Sequence, residues 1–543
     1  MSESKGLSRR EFLTATAAGV SLAAAGEAQE AGGRVMVKPR QMGEPYELAG
    51  KRLVFTDWSY VRPGSFAWID EKGENVSVRG SHGPWEARFV RWEFPKGIRI
   101  AARQAQRVGP ITKSEKPWES ESGVNFGTVI RDGGKYRAWA SNSYFESSDG
   151  MHWERPQLGL VEHGGSKKNN LVTMSLGGGT VFVDPSGPPS ERYKWVCTDS
   201  MSKEQFEAFK KKRPDAWDPR AHRPDVEHYY AIIGATSPDG LTWTRLPEPL
   251  VVEHSDTQVT GYYDTRLRKY VVYTRNYMIK DRSETAYDGK FRHWYELARR
   301  SIGRTESDDF REFPLSEVIL EPGPEMAPYD LLYTNCKTTI PGAPDLHLMF
   351  PTIWHAAADD ATSVAIASSH DSKVWHFIPG SPVFETPQFG EWDGGAVFAN
   401  PGLIELPDGA FALPYTGYDV PHKYPRGRWH FATGYMLWPK GRIIALEADE
   451  LGEFTAGAFL PPGRKMRINA VTRRGGSIQV EVADLNRNTI QGRSFAESIP
   501  IIGDQYRTLV TWKGGDDLGH KEGAAITLRF KLDRAQIYGL DFE

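Results

Sequence analysis

The chain has 543 residues, a formal net charge of −3, 12% aromatic residues, 54 Gly and 36 Pro. This composition favours a turn-dense β protein over a helical one, and the small net charge argues against a general nucleic-acid or anionic-membrane surface. Cys197 and Cys336 are the only cysteines and fall in different predicted strands, so we expect buried free thiols rather than a disulfide framework. No His-x-x-x-His or Cys-x-x-Cys spacing occurs, and the sequence therefore predicts no transition-metal site.

The N-terminal residues 1–28 have the pattern of a twin-arginine export signal. Arg9 and Arg10 precede a weakly apolar run from Thr14 to Ala25, which is followed by small residues. This run is too short to remain in a bilayer as a permanent anchor. We therefore predict export by the twin-arginine pathway to the periplasm or the exterior, with no membrane insertion after the signal is removed.

Residues 29–112 are predicted to form an extension that packs on or completes the repeated domain that follows. Within this segment, Lys51 to Phe55 has the pattern of a strand. We expect that strand to complete the last repeat.

Residues 113–453 carry a repeated motif, Ser-x-Asp-x-x-x-aromatic. It occurs at Ser147–Asp149–Trp153, Ser237–Asp239–Trp243, Ser307–Asp309–Phe313 and Ser369–Asp371–Trp375. Repeats of several tens of residues that each follow a β-rich stretch indicate small antiparallel sheets arranged as a propeller. A fifth, degenerate unit fits Trp392 to Leu446, so we predict an all-β protein with a five-bladed β-propeller as its catalytic domain.

The motif residues have a structural interpretation. Ser and Asp side chains close tight turns by accepting backbone N–H groups, Gly150 and Gly240 tolerate positive φ, and the aromatic residue packs on a neighbouring blade. We therefore expect these four Asp residues on the face opposite the functional site.

From residue 454 to 543 the turn motif stops and alternating strands run to the end, for example Ser477 to Val482 and Ala525 to Phe530. This pattern is typical of a second all-β domain, a C-terminal β-sandwich.

The long insertions of the propeller mark one of its faces. In a four-stranded blade, the strand 2–3 loop and the blade-to-blade connection share a face, which we call the top face. The insertions 201–227, 276–297, 355–362 and 418–431 all fall there. Loops held by a rigid scaffold carry function in many proteins, although such insertions also serve merely to decorate a rim.

Four blades place a carboxylate just before their innermost strand on this top face. Glu119, Asp256, Asp330 and Asp393 precede the first strands of blades I, III, IV and V. Carboxylates held together in a partly closed pocket raise the pKa of at least one of them. A protonated acid beside an ionised base or nucleophile is the pair that glycosidic-bond cleavage requires.

Neighbouring residues suit a sugar ligand. Trp118 and Tyr333 would stack on sugar faces, while Arg275, His355 and His422 would bond hydroxyls or a substrate carboxylate. Each of these residues also has a structural interpretation, because strand-start polar groups often cap turns. A carboxylate ring can hold Ca²⁺, but the sequence has no dense Asp-rich loop of the usual kind, and we predict no metal ligands and no cofactor.

Several segments resemble exported glycosyl hydrolase family 32-like proteins of planctomycetes and related bacteria. They are Glu146 to Leu160, Lys167 to Leu171, Pro117-Trp118-Glu119, Ser255-Asp256, Tyr263-Asp264, Ile502-Gly503-Asp504 and Val510-Thr511-Trp512. The resemblance implies a five-bladed propeller with a C-terminal β-sandwich, akin to glycoside hydrolase families 32 and 43.

The chain departs from that family at the catalytic motifs. The Trp-x-x-Asp-Pro-Asn, Arg-Asp-Pro and Glu-Cys motifs of true fructanases are missing, and Phe55-Thr56-Asp57-Trp58 stands where relatives read Phe-Val-Asp-Asp. We therefore do not expect fructan hydrolysis, and the catalytic residues have to be argued from blade position.

The first functional hypothesis is an exported glycoside hydrolase acting on a poly- or oligosaccharide. Glu119 would be its acid or base, Asp256 and Asp330 the partner carboxylates, and Asp393 a sugar-hydroxyl anchor or pKa modulator. The alternative is a carbohydrate-binding or structural propeller without turnover. A third hypothesis, a sialidase-like enzyme, needs an arginine triad and a Tyr nucleophile that the strand starts do not offer.

Overall fold

The computed structural model describes residues 45–63, 95–216, 218, 226–278, 298–357, 359–423 and 429–543. The predicted export signal lies outside these residues. The chain divides into two compact units, Met1–Tyr46 and Glu47–Glu543, and the features below belong to the second. In the described part of the chain, five short strands precede the first repeat: β1 (Tyr46–Glu47), β2 (Arg52–Leu53), β3 (Arg99–Ala102), β4 (Gln106–Val108) and β5 (Gly123–Val124).

Blades I to III are consecutive antiparallel sheets in which strands follow one another in chain order. Blade I contains β6 (Thr128–Asp132), β7 (Lys135–Ala140) and β8 (Ser143–Ser147). Blade II contains β9 (Thr180–Val183), β10 (Tyr193–Ser202), β11 (His228–Ser237) and β12 (Thr244–Arg245). Blade III contains β13 (Thr260–Asp264), β14 (Lys269–Met278), β15 (Arg299–Ser307) and β16 (Glu317–Leu320).

The four strands of blade IV are each interrupted, so this blade consists of two four-stranded sheets. Its segments are β17 (Asp330–Thr334), β18 (Lys337–Ile340), β19 (Ala343–Met349), β20 (Thr352–His355), β21 (Thr362–Val364), β22 (Ala367–Ser369), β23 (His376–Phe377) and β24 (Phe384–Glu385). Blade V contains β25 (Ala396–Ala399), β26 (Ile404–Glu405), β27 (Phe411–Tyr418) and β28 (Phe431–Trp438).

The ring closes between blade V and blade I. Strand β4, from the segment before the propeller, pairs antiparallel with β28 and is the outer strand of blade V. A buried apolar cluster then joins Phe126 and Tyr136 of blade I to Ile404, Leu406 and Tyr435 around blade V. Burial of this area is the main favourable contribution to closure.

Similar contacts join the other blades. Apolar clusters link blade I to II, II to III, and III to IV. Between blades IV and V, the Thr362 hydroxyl donates to the Val397 carbonyl at 2.9 Å and accepts the Val397 N–H at 2.7 Å. The predicted fold class is confirmed: the protein is all-β, with a five-bladed propeller followed by a C-terminal β-sandwich.

The prediction that the strand at Lys51 to Phe55 completes the last blade is wrong. This strand, β2, pairs with a C-terminal strand at Asp541 and Leu540, and β4 occupies the position in blade V. Alternation of apolar residues shows that a segment is extended but not which sheet edge it joins.

The repeated motif closes turns as predicted. In each copy the Asp Oδ1 accepts the backbone N–H of the residue two positions later, at 2.8 to 2.9 Å. The four donors are Met151, Leu241, Arg311 and Lys373. The turns also tie blades together, because Trp139 donates to the Gly240 carbonyl at 2.8 Å and Tyr435 to the Gly150 carbonyl at 2.9 Å.

The insertion after β10 begins with a helix, α1 (Lys203–Lys212). Ser202 caps it in a capping box with Gln205. Its Phe206 ring stacks on Tyr229 at 4.3 Å, whereas the lysines of its last turn are exposed. Among the described residues, no helix is long and apolar enough to cross a membrane.

The C-terminal sheet is built from long strands: β29 (Ile444–Leu460), β30 (Met466–Ala483), β31 (Asp504–Leu509) and β32 (Ile526–Phe542). They are ordered β29-β32-β30-β31, with β3 added on β29 and β2 on β32. The sheet therefore begins before the boundary predicted at residue 454. Register shifts at Ala448/Leu451 and Thr472/Ser477 bend the long strands, as β-bulges do.

Both cysteines are free and buried, as predicted. Burial raises the pKa of the Cys197 thiol to about 12 and holds that of Cys336 well above its usual value. Both are therefore thiols rather than reactive thiolates at neutral pH.

An ion pair between blades I and II predicts an acid-dependent stability. Arg192 donates to Asp132 at 2.6 and 2.9 Å, and these bonds lower the pKa of Asp132 from 3.8 to about 2. Because the folded pKa is depressed, the stabilisation is present above about pH 4 and is lost as pH falls through about 2. We expect the difference in Tm between the parent and Asp132→Asn to shrink over that interval in calorimetry; a difference independent of pH would contradict the assignment.

Candidate functional site

A cavity of about 500 Å³ lies on the top face where the first strands of the five blades begin. We call it the central cavity. Every blade contributes to its wall, through Asn125 and Gly127, Gly178 and Gly179, Asp256 to Gln258, Tyr333 and Thr334, and Phe398 and Asn400. None of the four motif Asp residues lines it, which agrees with their predicted position on the opposite face.

Aromatic residues form one side of the central cavity. His422, from the insertion of blade V, lies 4.6 Å from the Tyr333 ring and 5.3 Å from the rings of Trp354 and Phe398. Tyr230, Tyr418 and Trp429 extend this lining. Aromatic faces of this kind, interspersed with amide and hydroxyl groups, suit the alternating apolar and polar surface of a sugar.

Asp256 and Arg275 form an ion pair at the wall of the cavity. The Asp256 side chain is 30% exposed, whereas that of Arg275 is 1% exposed. Burial lowers the pKa of Arg275 to about 10, so the guanidinium still carries its charge at neutral pH. The backbone N–H of Arg275 also donates to the Ser255 hydroxyl at 3.1 Å, which fixes the segment that carries Asp256.

Gln258 attaches the segment that carries Asp256 to the neighbouring blades. Its side chain donates to the Ala399 carbonyl at 2.9 Å and accepts the Cys336 N–H at 2.7 Å. These bonds connect the start of blade III to blades IV and V. The cavity wall near Asp256 is therefore pre-organised rather than dependent on a ligand.

Asp330 and His355 lie in a neighbouring pocket of about 330 Å³ on the top edge of blade IV. His355 Nδ1 is 2.8 Å from Asp330 Oδ1, and its Nε2 is 3.0 Å from the Ser363 hydroxyl. This connectivity is that of a nucleophile, a base and an orienting carboxylate. Ser363, however, is 1% exposed and does not line the pocket, so we assign the chain of bonds to positioning His355 and Asp330.

Glu385 lines the same pocket, and burial raises its pKa. Two carboxyl groups, those of Glu385 and the hydrogen-bonded Asp330, thus share this pocket. Glu385 lies on the outer strand of the blade, so the argument from strand starts did not indicate it.

Glu119 does not lie where the sequence places it. Its side chain is 1% exposed and pairs with Arg155 at 2.6 Å, and its second oxygen accepts the N–H groups of Glu115 and Lys116. It does not line the central cavity. Glu119 is enclosed by its own turn and Arg155, and we correct its catalytic assignment to a structural one.

Trp118 and Asp393 are also structural in their contacts. The Trp118 indole donates to Asn170 at 2.8 Å, and Asp393 is buried against Arg107 and Tyr415. Neither lines the central cavity. The structure thus brings Asp256, Tyr333 and His422 together with Arg275 behind them, places Asp330 and His355 beside them, and leaves Glu119, Trp118 and Asp393 apart.

Arg300 and Lys423 are cavity residues that the sequence argument missed. Arg300 is the second residue of β15, the third strand of blade III. The start of a third strand lies on the top face by the same rule that selected the first strands. Applying the rule to third strands would have found it.

A second cavity, of about 270 Å³, lies among the later parts of the first strands. Its buried Lys337 lies with Nζ 3.0 Å from the centre of the Tyr262 ring. Burial holds the pKa values of Lys337 and His347 well below their usual ranges. These groups belong to the propeller interior, whereas the central cavity is lined by described residues of the blade V insertion, among them Tyr418 and His422. Within the described part of the chain, no group of three or more His, Cys, Asp or Glu is arranged to hold a metal ion.

No family model and no curated protein matches the chain. Solved structures similar to it include an N-acetylgalactosamine deacetylase from F. plautii, with 10% identity, a TM-score of 0.37, and coverage of 62% of this chain and 96% of that one. Another is a GH32 β-fructofuranosidase of Bombyx mori, with 12% identity, a TM-score of 0.35, and coverage of 80% and 95%.

A thermostable family-43 glycoside hydrolase is similar at 14% identity and a TM-score of 0.35, with coverage of 60% of this chain and 96% of that one. The structural neighbours thus include propeller-type glycoside hydrolases. At these scores the activity of this chain rests on its own residues, and the planctomycete family resemblance stays a prediction.

Proposed function

We propose that the protein is an exported glycoside hydrolase that binds a glycan in the central cavity. The observation that carries this proposal is that Asp256, a partly exposed carboxylate fixed by Arg275, lines the same cavity as several aromatic rings where all five blades meet. Glycosidic-bond cleavage needs such a carboxylate as base or nucleophile.

Asp330 is the proposed partner of Asp256. It lies at the start of β17, three residues before Tyr333 of the central cavity, or roughly 10 Å along the strand. His355 at Oδ1 and the Ala327 N–H, which donates to Oδ2 at 3.0 Å, fix its carboxyl group. In this proposal Asp330 donates the proton to the leaving oxygen, while Asp256 acts on the anomeric carbon directly or through a water molecule.

A screen of reducing-end release across a panel of poly- and oligosaccharides tests the proposal. The parent should release reducing ends from at least one member, and Asp256→Asn should not. A parent that binds no glycan and cleaves none would refute it.

A non-catalytic carbohydrate-binding propeller is the second candidate. Asp256 is the one carboxylate among the described residues that line the central cavity, and a binding module needs no second one. Binding without cleavage by the parent protein would favour this function.

We also propose export by the twin-arginine pathway, on the basis of Arg9 and Arg10. The export receptor reads this pair rather than charge alone, so replacing both residues with Lys should leave the protein in the cytoplasm of a producing bacterium. Fractionation and immunoblotting of both forms would measure this. An unchanged amount of protein outside the cytoplasm would reject the proposal.

A further inference from the structure

The central cavity carries more positive than negative charge. Arg300 and Lys423 supply cationic groups to its lining, the buried Arg275 lies behind Asp256, and Asp256 is the one carboxylate in the lining that the structure describes. Asp256 is already paired with Arg275. The charge of Arg300 therefore has no counter-ion in the described lining.

Arg300 is held in place by aromatic rings rather than by carboxylates. Its guanidinium carbon lies 4.4 Å from the centre of the Tyr333 ring and 5.7 Å from that of Trp354. Cation–π contact with these rings positions the guanidinium without supplying an acceptor for its N–H groups. Among the described residues, its Nη1 is buried and has no hydrogen-bond partner.

An unsatisfied buried donor is costly, and a charged one more so. A neighbouring cation adds to that cost, since the charge of Arg300 also acts on Arg275 from the adjacent strand. A ligand oxyanion would remove both penalties, because a planar guanidinium matches the two oxygens of a carboxylate or sulfate group.

We propose that the central cavity selects acidic glycans, and that Arg300 binds a carboxylate or sulfate group carried by the sugar. The inference rests on the proposed function, since it names the substrate class of the same cavity. The ring of Tyr333, which Arg300 covers on one face, would place the anionic substituent beside the sugar that Asp256 reaches. A neutral glycan would leave Arg300 unpaired.

Matched sugars test this inference by calorimetric titration at low ionic strength. The pairs are D-galacturonate with D-galactose, D-glucuronate with D-glucose, and D-galactose 6-sulfate with D-galactose. We expect at least one acidic member to bind about tenfold or more tightly than its neutral twin, as loss of a charge-assisted hydrogen bond implies. Added salt should weaken that preference.

Arg300→Met keeps the length of the side chain and removes its charge, and should abolish the preference for the acidic member. Arg311→Met is the matched control, because Arg311 is a half-exposed arginine paired with Glu191 in the turn of the Asp309 motif, away from the cavity. It should keep the preference. Arg300→Lys retains the charge without the planar fork and should show an intermediate preference, which provides a second test if the Met variant does not fold.

Three outcomes would overturn the inference. If neutral and acidic members bind the parent equally, the glycan site stands but its proposed selectivity is wrong. If inorganic phosphate binds as tightly as the acidic sugars to the parent and to Arg311→Met, but not to Arg300→Met, the cavity takes a free oxyanion. If the parent binds neither sugars nor polysaccharides, the proposed function fails and this inference fails with it.

Discussion

Replacing Asp256 with Asn should reduce turnover of a glycan that the parent cleaves by about two to four orders of magnitude. The amide preserves the shape of the side chain but removes the negative charge that acts on the anomeric carbon. Binding should persist, because the aromatic wall around Tyr333 and His422 is untouched. Initial rates of reducing-end release, with substrate affinity measured separately, would separate the two effects.

Two control variants sharpen this test. Asp308→Asn removes an exposed carboxylate paired with Lys269 and should leave turnover unchanged. Glu119→Gln removes the ion pair with Arg155. It should lower Tm while leaving the turnover of the folded protein near that of the parent. Near-parental turnover by Asp256→Asn, or a loss as large in Glu119→Gln at a temperature where it is folded, would contradict the assignment of Asp256.

The repeated motif made the propeller predictable from the sequence. The Ser–Asp turns are local structures whose hydrogen bonds lie within a few residues, as at Asp239 and Leu241, so their spacing marks four of the five blades. The partners of β2 and β4 were not predictable in the same way, because a short exposed strand has the same alternation whichever sheet it joins. The closing strand of blade V was consequently assigned to the wrong segment.

The same reasoning explains the mixed outcome at the site. Position in a blade correctly indicated the cavity wall at Asp256 and Tyr333, since the first strands converge by geometry. It did not distinguish a carboxylate that faces the cavity from one that turns back to the protein. Glu119 forms an ion pair with Arg155, which lies far from it in the sequence, and no local sequence pattern predicts such a pair.

Removing Asp393 should destabilise the propeller strongly, because its carboxylate connects three parts of blade V. It is 0% exposed, accepts from Arg107 Nε at 3.0 Å, and accepts from the Tyr415 hydroxyl at 2.7 Å. Breaking a fully buried ion pair by removing one partner costs about 3–5 kcal/mol, but Arg107 is 31% exposed and also pairs with Glu391. We therefore expect Asp393→Asn to lower the free energy of unfolding by about 2–3 kcal/mol in urea titrations.

A double-variant cycle with Arg107→Met isolates the pair itself. Arg107 belongs to β4, the strand that closes the ring. Arg107→Met leaves the buried Asp393 without its cation, whereas Asp393→Asn leaves Arg107 paired with Glu391 alone. The double variant should therefore cost less than the sum of the two single variants. The exposed pair Lys269–Asp308 provides the reference, for which about 1 kcal/mol or less is expected. If Asp393→Asn costs no more than Asp308→Asn, the ring is held closed by apolar packing and the β4–β28 hydrogen bonds, and the buried pair contributes only to the choice of strand register.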